Sequence, residues 1–373
     1  MDCGGIEKFI FNNYENMNRA EFHYDFLLLR NQREAYDMEV ANLGCGKICI
    51  NTGDVPMQPR KLKTYVEIYK AFRAKKYDVI HFQSVSPALS SSIIIFLAVL
   101  AGIDKRILHS HLAYDWRKYS TKRLIKYKIA RKLNSLFCNE FLACSELAAE
   151  YSFSADIVRK KKYKIVNNAI NAPNFKFTEK ARKKVRMEYD LGDRFVIGNV
   201  GRFVEQKNHT FMIDVLKQAL EIDPSCCMFL VGGSVESEPE QRNKIIKYAK
   251  EQGVFDSVIF AGEHKNISAC LAAMDSFIFP SHFEGLGIVG VEAQASGLTV
   301  VAAENYIPHE LKITSNFVWL NLNDKLTDWA NALLNVPKID RTNAYKAIEE
   351  SEFNILNTAK QLENIYRSRE SCR

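Results

Sequence analysis

Four stretches of this 373-residue chain hold residue types that could act on a phosphorylated or hydroxyl-rich ligand. The first is Gly201-Arg-Phe-Val-Glu-Gln-Lys207-Asn-His209. An apolar run ends at Val200, Gly201 lets the backbone turn closely, and Arg202 and Lys207 follow just before a helix expected from near Asn208. Two fixed cations beside a helix N-terminus make a cradle for a diphosphate, and they stabilise negative charge on a departing phosphate. A surface loop with incidental charge is the alternative, and its place at a strand end weighs against it. The second stretch is Phe277–Gly297. Glu284 and Glu292 stand eight residues apart, roughly two helical turns, so both carboxylates can face one groove at different depths. The amides of Gly285, Leu286 and Gly287 are expected to point outward at the helix start. A carboxylate accepts two hydrogen bonds at once and so suits sugar or ribose hydroxyls. Glu292, between Val291 and Ala293, reads as a buried acid that needs a partner. The third stretch is Arg106–His111, a strand ending in His109 and His111 read as facing opposite sides, with His111 toward the ligand. His81 is a weaker candidate. The fourth is Gly4-Gly5 before a helical pattern, where backbone N–H groups could meet a phosphate. No D-x-D occurs, so one common way of holding a metal on a nucleotide diphosphate is missing and no metal site is expected; Arg202, Lys207 and helix dipoles would serve instead.

These residues need a scaffold, and the hydrophobic pattern supplies one. Short β-branched runs alternate with helical patterns along the chain. In the first half strands are expected at 24–29, 47–51, 78–83, 106–111, 141–145 and 164–168, with helices at 61–76, 89–101 and 120–133. In the second half strands are expected at 195–200, 228–231, 258–261, 277–280 and 299–302. Helices there are expected at 209–221, 240–252, 267–274 and 287–296, with a final one at 354–367. Strand–helix alternation implies parallel sheets covered by helices. Two such series predict an α/β protein of two Rossmann-like domains with sheets facing across a cleft, ligands binding beyond the carboxyl ends of the strands. The expected division is 1–175, 176–352 and a terminal helix within 353–373, with the joint in the basic segment 172–192.

Composition closes off other classes. Hydrophobic residues make up 47% and charged residues 25%, with 17 Gly and 9 Pro, which excludes a disordered, fibrous or disulfide mini-scaffold chain. Nine cysteines, an odd number, with no signal peptide point to a reducing cytoplasm. Cys45 and Cys49 lack the second pair a zinc site needs. The longest apolar run, Ile93–Ile103, is shorter than the roughly 20 residues of a spanning helix. The net charge of +7 is concentrated: Arg117–Lys132 holds eight basic residues and no acid. Ile125, Ile129 and Leu133 recur every four residues, which predicts an amphipathic helix with an outward basic face. That face is either simply solvated or meets an anionic surface, a phospholipid membrane or lipid pyrophosphate, making the protein peripheral at the inner face of the plasma membrane. Aromatic interleaving of the kind that binds nucleic acid is absent, and no nucleic-acid partner is expected.

Taken together, the motifs resemble those of the GT-B fold glycosyltransferases of family 4, which include exopolysaccharide and capsule enzymes. The resemblance rests on G-R-F-x-x-Q-K-N-H at 201–209, on F-P-S-x-x-E-G-x-G-x-x-x-x-E-A-x-A-x-G at 279–297, on H-S-H at 109–111 and on G-G-x-E at 4–7, and it spans nearly the whole chain. It implies a retaining, metal-independent transfer of sugar from a nucleotide sugar, UDP-linked by expectation, to a lipid-linked or polysaccharide acceptor. Arg202 and Lys207, with Gly201, would bind the diphosphate and Glu292 the ribose. Glu284 with the amides of Gly285, Leu286 and Gly287 would hold the donor sugar, with His111 near the reaction centre. Gly4 and Gly5 would approach the phosphates or acceptor, and the Ala261–His264 segment the base. The terminal helix would cross back onto the first domain. Two departures stand out. Family members usually carry a first strand of about ten residues before the Gly-Gly loop, whereas Gly4 and Gly5 follow Met1 closely. The stretch Val231–Pro239 replaces a shorter Gly-x-Gly turn. The competing readings are another GT-B enzyme, an epimerase or a phosphorylase, and a non-catalytic sugar-nucleotide-binding subunit.

Overall fold

The computed structural model describes residues 5–29, 37–50, 62–114, 116, 119–235 and 238–368, except the side chains of 37–39. Gly4, Arg117 and Lys118 lie outside the described residues. The chain forms two compact units, one of residues 1–169 with 355–373 and one of residues 170–354.

The first unit opens with α1 (Gly5–Glu15), β1 (Asp25–Leu28), α2 (Asp37–Asn42), β2 (Gly46–Cys49), α3 (Leu62–Ala74), β3 (Val79–Ser84) and α4 (Leu89–Leu100). It continues through β4 (Lys105–Ser110), α5 (Thr121–Phe137), β5 (Glu140–Ala143), α6 (Glu146–Ser152), α7 (Ala155–Arg159) and β6 (Lys164–Ile165). Every pairing is parallel: β1 with β2, and β3-β4-β5-β6 as a second sheet. The second unit holds α8 (Glu179–Glu188), β7 (Val196–Val200), α9 (His209–Ile222), β8 (Cys227–Val231), α10 (Gln241–Glu251), β9 (Val258–Gly262) and α11 (Ile267–Ala273). Then come β10 (Ser276–Phe279), α12 (Ile288–Ala295), β11 (Thr299–Ala303), β12 (Phe317–Leu320), α13 (Leu326–Leu334) and α14 (Tyr345–Glu349). Its six strands run parallel in the order β12-β11-β10-β7-β8-β9. Strands β8, β10 and β11 are buried at every residue, as a parallel sheet covered on both faces demands. The chain then returns to the first unit in α15 (Ile355–Arg367).

Three expectations are corrected. The units part after Ala169, not after residue 175, because the Ile170 N–H donates to the Phe353 carbonyl at 3.0 Å and Ile170 bridges Asn354 within the second unit. The basic segment taken as a joint is part of that unit. Arg182 and Arg186 of α8, with Arg341, donate to the carbonyls of Leu271–Met274 that end α11, and both α8 arginines hold Asp275 at 2.6 Å. Cations at a helix C-terminus satisfy its orphan carbonyls and oppose its dipole. Finally, α5 is turned over. Its buried residues are Tyr127, Ala130 and Asn134, with Asn134 accepting from the Ser92 hydroxyl of α4 at 2.6 Å. Ile125 and Ile129, expected in the core, are 54% and 47% exposed.

α15 closes the first unit's core. Ala359, Leu362 and Ile365 pack with Phe9 and Tyr14 of α1 over Ile107, Leu142 and Val166. Polar ties fix it: Arg367 holds Glu21 through two 2.7 Å bonds, Gln361 donates to the Ile165 carbonyl at 2.8 Å, and Lys105 caps the carbonyls of Ile365 and Ser368.

Candidate active site

In the six-stranded sheet the order reverses between β7 and β10: the chain builds β8 and β9 to one side of β7, then crosses to build β10, β11 and β12 on the other. At such a switch point the loops leaving two neighbouring strands diverge and open a crevice beyond their carboxyl ends. Those two loops are 201–208, after β7, and 280–287, after β10.

They are stitched together by side chains. Gln206 donates to the Phe283 carbonyl at 2.7 Å, and its own carbonyl accepts from the His282 N–H at 2.9 Å. Asn208, in the left-handed region at φ 57°, donates to the Pro280 carbonyl at 3.2 Å. Between them Lys207 reaches across to Glu284, Nζ to Oε1 at 2.6 Å, with both side chains mostly buried. The Glu284 N–H is fixed by the Tyr306 carbonyl at 3.0 Å, and Lys207 also lies over the Phe279 ring. Two glycines make room. Gly232 at φ 150° lets the end of β8 meet the turn at Gly201; a Cβ there would stand 1.9 Å from the Gly201 carbonyl oxygen. Gly287 at φ 86° starts α12, where a Cβ would strike the Phe279 ring at 2.6 Å. The long segment after β8 extends the ladder, with the Phe203 N–H donating to Gly233 and Phe203 bridging Ser234.

Arg202 leaves the same turn as Gly201, is exposed, and makes no ion pair among the described residues. Glu292 is buried in α12, whose residues from Val289 to Ala295 are all buried. His209, first residue of α9, is buried, and that burial together with nearby Lys207 pushes it down to about 3, so it is uncharged at neutral pH. Chemically, the switch point holds one buried ion pair, one free guanidinium and the start of α12. An anion entering there meets Arg202 directly and competes with Glu284 for Lys207.

Comparison with known proteins finds relatives of both units. The model of the glycosyl transferases group 1 matches residues 181–321, and that of glycosyltransferase family 4 matches residues 3–172. The chain belongs to the group 1 glycosyltransferases of GT-B fold. It is 25% identical to the capsular polysaccharide biosynthesis glycosyltransferase CapH of Staphylococcus aureus over 99% of this chain and 97% of that protein. It is 26% identical to the UDP-Gal:alpha-D-GlcNAc-diphosphoundecaprenol alpha-1,3-galactosyltransferase of Escherichia coli over 74% of this chain and 70% of that protein. Among solved structures, Anabaena HepE in complex with UDP and glucose superposes with a TM-score of 0.78 at 18% identity, covering 98% of this chain and 96% of that one.

In this glycosyltransferase the structure brings Lys207 and Glu284 into contact and sets Gly201, Arg202, Gly285, Leu286 and Gly287 in the same two loops. His264 has other neighbours. Its Nδ1 accepts from the Asn266 N–H at 3.1 Å, and it lines a cavity of about 450 Å³ with Lys180, Lys184 and Glu188 of α8, which no residue of the 201–209 or 280–292 stretches lines. Gly5 is exposed at the start of α1. The residues that sequence reasoning passed over are Gln206 and Asn208, which knit the loops, and Gly232. Their signal was present: two amides flank the cationic Lys207, and a Gly-Gly pair follows an all-apolar strand.

His111 is corrected in orientation. Residues two apart in a strand point the same way, and the rings of His109 and His111 lie 4.1 Å apart rather than on opposite sides. His81 stacks on His109, with Nε2 to Nδ1 at 3.1 Å, and its Nδ1 meets the Tyr366 hydroxyl of α15 at 2.7 Å. His111 Nε2 pairs with the Gln83 Oε1 at 2.5 Å. Burial lowers all three: His81 to about 3, His111 to about 4, and His109 well below its ordinary value, helped by the neighbouring imidazoles. At neutral pH the cluster is uncharged.

Proposed function

We propose that this glycosyltransferase moves a sugar from a UDP-linked donor to a lipid-linked or polysaccharide acceptor, with retention of anomeric configuration and without a metal. The observation that carries the reading is the Lys207–Glu284 pair at the switch point of the six-stranded sheet, beside the unpaired Arg202. The name of the Escherichia coli relative, which specifies a UDP-sugar and a diphosphate-lipid acceptor, supports the donor and acceptor classes. So does the UDP bound in the HepE complex.

In this reading Arg202 and Lys207 hold the donor diphosphate and neutralise the charge that grows on it as the anomeric bond breaks. Such preorganised donors act on charge that develops in the transition state and need no rearrangement then. Once Lys207 turns to the phosphate, Glu284 is released to accept from sugar hydroxyls, beside the amides of Gly285, Leu286 and Gly287. Glu292 takes the ribose hydroxyls, and the Ala261–His264 segment lies toward the base. The departing diphosphate assists deprotonation of the acceptor hydroxyl, which attacks the face that the diphosphate leaves. His111, uncharged and fixed by Gln83, serves a substrate hydroxyl rather than a phosphate.

The test is direct. Thermal denaturation with UDP-, GDP- and ADP-sugars reads which ligand stabilises the native chain; stabilisation by a GDP- or ADP-sugar alone overturns the donor. Transfer from labelled UDP-glucose or UDP-galactose to a polyprenyl-diphosphate sugar, followed by assignment of the anomer, reads the stereochemistry. An inverted product overturns retention, and UDP binding without turnover favours the non-catalytic subunit.

A further inference from the structure

Two glycines stand side by side at the end of β8, and each makes room for a different neighbour. Gly232 admits the turn at Gly201. Gly233 admits a side chain: a Cβ there would stand 2.2 Å from Oε1 of Glu263 and 2.6 Å from its Cγ. Glu263 follows Gly262, which ends β9 in the left-handed region at φ 72°, so the chain turns at once. The Gly232 N–H donates to the Gly262 carbonyl at 2.8 Å and ties the two strand ends together. The Glu263 side chain thus lies along bare backbone at the carboxyl end of β8.

The carboxylate is exposed there, and it makes no ion pair and no hydrogen bond among the described residues. A carboxylate with only a structural task looks different. Glu238, on the segment after β8, accepts from the Glu205 N–H at 2.8 Å. Glu263 is held in place with its acceptors unused, which is the state of a group prepared for a ligand. Its seat also adjoins the diphosphate loop. Phe203, next to Arg202, donates its N–H to the Gly233 carbonyl at 2.8 Å. Strands β7, β8 and β9 are neighbours in that order, and two inter-strand spacings place the end of β9 about 10 Å from the turn at Gly201. A nucleotide whose diphosphate rests on Arg202 and Lys207 carries its base one ribose further on, a span of that order. In the proposed function, on which this rests, the base lies beside Ala261–His264.

An ionised carboxylate only accepts hydrogen bonds. Uracil and guanine both present a ring N–H on the Watson–Crick edge, whereas adenine presents a lone pair at the corresponding nitrogen. Opposite Glu263 the first two gain a charge-assisted hydrogen bond, and adenine sets lone pair against lone pair. We infer that Glu263 is a specificity-determining residue of the donor site, accepting from the ring N–H of a uracil or guanine nucleotide and turning adenine nucleotides away.

Titration calorimetry of the full chain with UDP, GDP and ADP tests this. The wild type is expected to bind UDP at least about tenfold more tightly than ADP, the range of one hydrogen bond to a charged group. Glu263→Ala should weaken UDP about tenfold and leave ADP no weaker. Glu263→Gln is the sharper variant, because an amide both donates and accepts. It can pair with the N6 amine and N1 of adenine as well as with N3–H and O4 of uracil, so UDP should hold while ADP gains about tenfold. Gly233→Ala keeps the carboxylate but occupies its seat, and its UDP-to-ADP ratio should fall toward that of Glu263→Ala. Thermal midpoints without nucleotide confirm that the variants fold. A wild type that favours UDP over ADP by a ratio none of the variants moves overturns the role of Glu263 and leaves the donor reading standing. A wild type that binds GDP and not UDP overturns the UDP donor, and the same variants read on GDP against ADP then decide Glu263. A preference for ADP, or no nucleotide bound, overturns both.

Discussion

The carboxyl ends of the four-stranded and the six-stranded parallel sheets offer opposite chemistry on one architecture. In the second unit a lysine and a glutamate are locked in a buried pair beside a free arginine. In the first, three imidazoles are packed face to face and are uncharged at neutral pH. A buried ion pair offsets the burial of each charge, whereas burial under α1 and α15 keeps the imidazoles neutral. Phe9 of α1 covers both His109 and His111 at 5.0 Å, and Tyr366 of α15 covers His81. The charged end suits a diphosphate and the neutral end a hydroxyl.

The sharpest way to break this contrast is to remove the charges. Arg202→Ala and Lys207→Ala should each lower kcat by about 10²–10³ in the transfer assay, the loss typical of one charge-stabilising donor; near-normal turnover in either would sink its role. Stability separates the pair from the chemistry. Lys207→Met alone leaves Glu284 buried and unpaired, which should cost about 3–5 kcal/mol in urea denaturation. Adding Glu284→Gln should return much of that while turnover stays low, and failure to recover would mean the pair is not an isolated unit. Gly232→Ala forces the Gly201 carbonyl away. It should cost about 2 kcal/mol or more in the same denaturation and weaken UDP binding, whereas a neutral outcome would show that the turn adapts.

The neutral end predicts a pH response of definite sign. The histidine values are depressed in the folded chain, so below the unfolded value of about 6.5 the unfolded state binds more protons. The stability they contribute is whole above that pH and drains as pH falls toward about 4 and then 3. The thermal midpoint should drop by several degrees between about pH 7 and pH 4.5, and His81→Gln with His109→Gln should blunt the drop. An unchanged slope would show that other groups govern it. The smallest expected effect is that of EDTA: turnover should be unaltered, and a clear loss would overturn metal independence.

Much of this was legible in the chain. Strands such as Cys227–Val231 and Thr299–Ala303 are apolar at nearly every position because both faces are covered, and turn residues bracket them. Lys207 and Glu284 could be singled out because each follows a strand end by a few residues, which is where open sheets place ligands. Their direct pairing could not, since it depends on β7 and β10 becoming neighbours, a matter of topology. β12, the four residues Phe317–Leu320 at the sheet edge, is too short to stand out from its polar surroundings. α5 shows the deeper limit. Spacing of four residues reveals that Ile125 and Ile129 share a face, but not what that face meets, and here an inward Tyr127, Ala130 and Asn134 took the core side. Two histidines at positions 109 and 111 were set apart only by overlooking the two-residue repeat of a strand.

The terminal helix α15 gives the two units unequal histories on the ribosome. Residues 170–354 form one uninterrupted stretch that can complete its six-stranded sheet as soon as it emerges. The first unit, though begun earlier, lacks Ala359, Leu362 and Ile365 over Ile107 and Leu142 until the whole of the second unit has been made. Of the two units, the one begun first is therefore completed second, and its exposed strands must be sheltered in the meantime.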